Sequence, residues 1–127
     1  MKRLTTGWTV RRGDIYLADL GKSKHTDRGK IRPVLIFQND MLNRMVEEGL
    51  YEEVIIIPLS SRIRQNDFTY VLSRRERLTK ESAVLCHAVK MITAKRILTE
   101  EGKLAVLTPQ EMREIEVRVL SAMGVER

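Results

Sequence analysis

Val54-Ile55-Ile56-Ile57-Pro58-Leu59 is the stretch that most limits the folds open to this chain. It is uninterruptedly apolar and nearly all β-branched. β-Branched side chains suit a pleated surface better than a helix, so residues 53–59 read as a buried strand. A strand hydrophobic on both faces belongs at the centre of a sheet. The run is also far short of the roughly 20 apolar residues that a membrane-spanning helix needs.

The surrounding segments supply its neighbours. Ile15 and Leu17 alternate with Tyr16 and Ala18, the pattern of a half-buried strand. Residues 21–31 form a long loop, and 32–38 make a second strand. Phe68, Tyr70 and Leu72 alternate with Thr69, Val71 and Ser73 in a fourth. A fifth covers 82–89, and a weaker one lies near 103–106. Asp40 is placed to cap a short helix whose apolar side is Met41, Leu42, Met45 and Val46, with Gly49 as its stop. Thr108-Pro109-Gln110-Glu111 is a capping box with proline at the first helical position. Met112, Ile115, Val119 and Met123 follow at helical spacing, and Gly124 ends that helix. Successive strands with short links and no long crossover helix give an antiparallel, barrel-like sheet. The expectation is a single, mainly β domain over 1–127: a flexible lead-in at 1–11 with Trp8 as an anchor, a barrel at 12–106, and a C-terminal amphipathic helix at 108–124.

Charge points to the partner. The chain has 23 Lys and Arg against 17 Asp and Glu, a net charge of +6. A basic domain favours polyanions, nucleic acid first; a solvated surface serving solubility is the plain alternative. The single cysteine, Cys86, follows Ala83-Val84-Leu85 and reads as a buried, inert thiol in a reducing compartment. One Cys and two His do not compose a zinc set, and no metal or cofactor is expected. The basic N-terminus lacks a following apolar stretch, so the expected location is the cytoplasm, without membrane attachment.

The richest local chemistry is Arg32-Pro33-Val34-Leu35-Ile36-Phe37-Gln38-Asn39-Asp40, preceded by Arg12-Gly13-Asp14-Ile15-Tyr16. Proline has no N–H for a ladder, so it marks a strand start or an edge. Gln-Asn-Asp is turn and cap chemistry. An arginine at the mouth of a buried strand suggests anion recognition, with a structural ion pair as the other reading.

These segments, with Val54-Ile55-Ile56-Ile57-Pro58-Leu59-Ser60-Ser61, Ser82-Ala83-Val84-Leu85-Cys86, Lys95-Arg96-Ile97 and Gly102-Lys103-Leu104 in that order, resemble the MazF/PemK family of toxin endoribonucleases from bacterial type II toxin–antitoxin pairs. The likeness runs from about Arg12 to Val125. It implies an SH3-like, CcdB-type antiparallel β-barrel with a C-terminal helix, acting as a homodimer. It implies sequence-specific, metal-independent cleavage of single-stranded RNA, and a cognate antitoxin whose flexible acidic tail blocks the RNA groove. The alternative is a non-catalytic binder on the same fold, either a gyrase-poison-like protein or a degenerate member that holds RNA or antitoxin without cutting, since fold does not fix function.

Metal-free RNA cleavage needs a base for the 2′-hydroxyl, an acid for the leaving 5′-oxygen and a cation for the phosphorane charge. The resemblance assigns the last role to Arg32. Ser60 stands where the family usually has threonine; it keeps the hydroxyl and loses the methyl that limits rotamers. A strand-end turn serine is the structural alternative, and Ser61 is a second candidate. His87-Ala88 replaces the family's usual acidic residue and glutamine, so His87 is either the base or a structural histidine. Lys24, His25, Arg28 and Lys30 in the first loop, with Arg62 and Arg64 after Ser60, are candidates for tracking RNA phosphates. Arg74, Arg75 and Arg77 have the composition of a solvated turn. Trp8, Tyr16 and Phe68 are the candidates for stacking on bases, with burial in the core as the other reading.

Overall fold

The computed structural model describes residues 7–21 and 30–125. It has β1 (Asp14–Asp19), β2 (Ile31–Ile36), α1 (Asp40–Glu47), β3 (Glu53–Ser60), β4 (Thr69–Leu72), β5 (Ser82–Leu85), β6 (Lys90–Thr93), β7 (Ala105–Val106) and α2 (Pro109–Ala122). The strands join in the order β4-β5-β3-β2-β1-β7, with β6 also on β3, and each pairing is antiparallel. Among the described residues β4 and β7 are not paired with each other, so the expected barrel is a half-barrel with a C-terminal helix.

β3 is central, as its β-branched run predicts. β2 lies along one edge, and β5 and β6 share the other. The expected single strand at 82–89 is broken there. Ala83 pairs with Ser60 and Lys90 with Ile56. An unbroken ladder from Ala83 would set Lys90 opposite Glu53, so three residues are looped out: Cys86–Ala88, a 3-10 turn. Pro58 lies in the gap this leaves along β3, where a missing N–H costs no ladder bond.

Both faces of the sheet are covered. Ile15, Leu35, Ile57 and Leu59 point into a core under α2, where Met112, Ile115 and Val119 are buried. Tyr16, Ala18, Val34, Ile36, Val54 and Ile56 point into a second core with Trp8, Val10 and Val46 of α1. β1 is therefore buried on both sides, with Tyr16 at 6% and Ala18 at 0% exposure, rather than half-buried. Of the 1–11 lead-in, residues 7–11 are described, and Trp8 and Val10 are packed in this second core. Trp8 and Tyr16 belong to packing, not to a stacking platform.

Two helix details differ from expectation. Asn39, not Asp40, caps α1 by accepting the Leu42 N–H at 2.9 Å. Asp40 accepts the Arg12 N–H at 2.7 Å and Asn43 Nδ2 at 2.9 Å. The inner face of α1 is Asn43 and Val46, while Met41 is exposed. Asn43 is buried because Gln38 serves it: Asn43 Nδ2 donates to the Gln38 carbonyl, and Gln38 Nε2 donates to Asn43 Oδ1 and to the Glu53 carbonyl. α2 has the expected capping box, but Met123 falls beyond its last turn and is 64% exposed.

Candidate functional site

The start of β2, the end of β3 and residues 77–82 enclose a cleft of about 730 Å³. Leu59, Leu78 and Leu104 from the core under α2 line it with Leu17, Ile31 and Pro33. Its polar lining is four cations, Arg32, Arg62, Arg77 and Lys80, and four hydroxyls, Ser60, Ser61, Thr79 and Ser82. Neither a carboxylate nor an imidazole is among the described residues that line it. Such a surface attracts anions and has no internal counter-charge to displace.

Arg32 is set by its strand. It pairs across to Ala18 of β1, while the ladder to β3 begins only at Val34, past Pro33. Its side chain is half-buried and has no hydrogen bond or ion pair among the described residues. Ser60 ends β3. Its Oγ accepts the Arg62 N–H at 3.2 Å and lies 3.3 Å from the Arg62 carbonyl. This is a serine turn, and it fixes the backbone from which Ser61 and Arg62 project.

The remaining expected residues fall elsewhere. Arg64 is exposed and does not line the cleft; its carbonyl accepts from Thr69 Oγ1 at 3.3 Å. Lys30 is exposed, with its backbone paired to Leu20 and Gly21 at the base of the first loop. Lys24, His25 and Arg28 lie outside the described residues. His87 is exposed on the looped-out turn after β5, its ring centroid 6.4 Å from that of half-buried Phe68, and it does not line the cleft. Cys86 is buried, and burial pushes its thiol up to about 11, so it is no nucleophile near neutral pH. Arg77, Thr79, Lys80 and Ser82 are cleft residues that sequence reading did not single out as a site. The clustering of cations at 74–80 was their only signal. Among the described residues no group of three His, Cys, Asp or Glu side chains is placed to hold a metal ion, and no helix is long and apolar enough to cross a membrane.

Residues 11–123 match the profile of the PemK-like, MazF-like toxin of type II toxin–antitoxin systems. The chain belongs to this toxin family. Solved MazF-type structures share its architecture. An endoribonuclease from a mycobacterial species, in complex with its cognate antitoxin, superposes with a TM-score of 0.72 at 21% identity, over 94% of this chain and 99% of that one. The toxin MazF-mt6 of Mycobacterium tuberculosis gives 0.72 at 17% identity, over 90% and 99%. The MazE–MazF complex of Deinococcus radiodurans gives 0.71 at 16%, over 94% and 99%. At these identities the MazF likeness is one of fold.

Proposed function

We propose that this MazF-like toxin is a sequence-specific, metal-independent endoribonuclease of the mRNA-interferase type. It cuts single-stranded RNA by attack of a 2′-oxygen on the adjacent phosphorus. The bond to the 5′-oxygen breaks, leaving a 2′,3′-cyclic phosphate and a 5′-hydroxyl. The observation that carries this reading is Arg32: half-buried, unpaired among the described residues, and open to a cleft whose polar lining is cations and hydroxyls. A guanidinium there meets two non-bridging oxygens at once and offsets the charge that develops on the phosphorane. Ser60 and Ser61 offer hydroxyl donors to the same phosphate, Ser60 by releasing its turn bond. Arg62 extends the cationic path, and Lys24, Arg28 and Lys30, cations of the first loop in sequence, are candidates to bind further phosphates. Family membership supports a cytoplasmic homodimer, restrained by a cognate antitoxin whose acidic flexible tail competes for the cleft.

The proton of the 2′-hydroxyl needs an acceptor. The described lining has neither a carboxylate nor an imidazole; His25 of the first loop is the candidate base we take, and His87, exposed and off the cleft, is the weaker one. The same observation favours a second reading, RNA or antitoxin binding without cutting. Purified protein on a long single-stranded RNA in excess EDTA, with the new ends mapped, separates the two. Discrete cuts with 5′-hydroxyl and cyclic-phosphate ends, lost in Arg32→Ala, support the nuclease. A folded protein that binds RNA and leaves it intact supports the binder.

A further inference from the structure

Arg77 is held in the cleft by two separate departures from ordinary backbone. Residues 75–78 form a turn closed twice, Arg75 N–H to the Leu78 carbonyl at 2.9 Å and Leu78 N–H to the Arg75 carbonyl at 2.8 Å. Within it Glu76 has φ 49°, the only positive φ among the described non-glycine residues. Glycine takes that conformation freely, whereas a glutamate holds it against steric strain. Buried Leu78 pins the turn to the core.

The second departure is at Gly102. Arg77 Nη1 donates to the Lys103 carbonyl at 3.2 Å and Nη2 to the Glu101 carbonyl at 2.9 Å, while its backbone N–H donates to Leu104. Gly102, between those carbonyls, has φ +84°, and a Cβ on it would stand 2.5 Å from Nη1. A missing side chain thus makes room for this guanidinium. Two of its five N–H donors are used, which leaves Nε–H and one N–H on each Nη for an acceptor. No carboxylate pairs with it among the described residues, although Glu76 precedes it in the chain and the Glu101 backbone carbonyl accepts from it. The side chain is exposed, yet these two carbonyls hold its head group in one place.

We propose that Arg77 is a fixed phosphate anchor: it binds a backbone phosphate of the RNA other than the one cut at Arg32, and so sets the register of the strand in the cleft. This rests on the nuclease reading. Arg77 is a positioning residue, acting on where the RNA lies and not on the reacting atoms.

The test measures binding of a fluorescent, 2′-O-methylated single-stranded RNA, which cannot be cut, as a function of salt, alongside cleavage kinetics on the unmodified RNA. Arg77→Ala should flatten the slope of log K against log salt by about 0.7, one single-strand phosphate contact. It should raise KM roughly 3- to 10-fold with kcat changed less than about twofold, the signature of lost uniform binding. Arg77→Lys should keep most of the slope, as a point charge, but not the full affinity. Gly102→Ala, which displaces the head group and also strains the backbone at φ +84°, should raise KM as well; Arg77→Lys decides the matter if Arg77→Ala does not fold. An unchanged slope and KM overturns the anchor. So does a fall in kcat alone, which would move Arg77 into the chemistry. So does loss of affinity for polyglutamate with none for RNA, which would make the site one for an acidic peptide. A wild-type protein that binds RNA without cutting loses the nuclease reading while the slope still decides the anchor; one that does neither loses both.

Discussion

Arg75 and Arg77 stand two residues apart in one turn and go to opposite uses. Arg75 reaches α2 and pairs with Glu111 at 2.6 Å; Arg77 turns into the cleft and meets no carboxylate among the described residues. The molecule repeats this division. Arg11 pairs with Glu47 at 2.8 Å and Arg118 with Glu114 at 3.0 Å over the Tyr70 ring. Arg12 pairs with Glu116 at 2.5 Å, lies over the Phe37 ring and donates to the Phe37 carbonyl. These arginines fasten helices and strand ends. Arg32, Arg62, Arg77 and Lys80 share the cleft and have no carboxylate partner among the described residues. The formal charge of +6 is thus a sum over two populations, one cancelled locally and one gathered where a polyanion can use it.

Exchanging the two populations should separate function from stability. The largest effect is expected at Arg32. Arg32→Ala should lower cleavage by roughly 100- to 1000-fold, as loss of a transition-state donor does, with an unchanged melting temperature because the side chain supports no described neighbour. Cleavage near wild type would take Arg32 out of the mechanism; a large drop in melting temperature would place it with the fasteners. Arg12→Ala should do the reverse. It removes a charged pair, a carbonyl contact and a ring contact, about 2–3 kcal/mol of stability. RNA affinity of the folded fraction should hold, as denaturant titration and binding at low denaturant would show. Arg62→Glu is smaller. It should weaken RNA binding by about tenfold at low salt and flatten the salt slope. A slope equal to wild type would remove Arg62 from the RNA path.

This division was only partly legible in the sequence. Arg32 at the mouth of β2 is marked locally by the proline after it, whereas Ser60 comes into view only through the family resemblance. β1 and β4 are legible from their alternation, β3 from its β-branched run, and α2 from its period and cap. What failed depended on distant partners. Nothing in Arg74-Arg75-Glu76-Arg77 tells which arginine meets Glu111, 36 residues on. His87 reads as a strand residue because the apolar run Ala83-Val84-Leu85-Cys86 leads straight into it; the looped-out turn comes from the register that β5 and β6 take on β3, a property of three segments together. β1 read as half-buried because α1, Trp8 and Val10, which cover its second face, give no local sign of doing so. Asn39 displaced Asp40 as the cap because Asp40 was claimed by the Arg12 backbone.

The smallest expected effect tests the fasteners alone. Burial raises the Glu111 carboxyl, but the Thr108 N–H and the Arg75 guanidinium outweigh it and hold the pKa below the ordinary glutamate value of 4.5. A carboxyl depressed in the folded state lends stability that is present above its unfolded pKa and lost as pH falls through the folded one. Glu111→Gln keeps the capping geometry, since glutamine also serves at that position, and removes the ion pair. The variant should be less stable than wild type by about 0.5–1 kcal/mol at neutral pH. The gap should close as pH falls below 4.5. Asp14, whose carboxyl burial raises, works with the opposite sign: its stabilising term is present below the unfolded value and lost as pH rises. It is common to both proteins and cancels from the difference. Thermal melts of the pair across acid pH read the gap directly. If it persists unchanged, the Arg75 pair is not its source, and the distinction between Arg75 and Arg77 rests on the cleft alone.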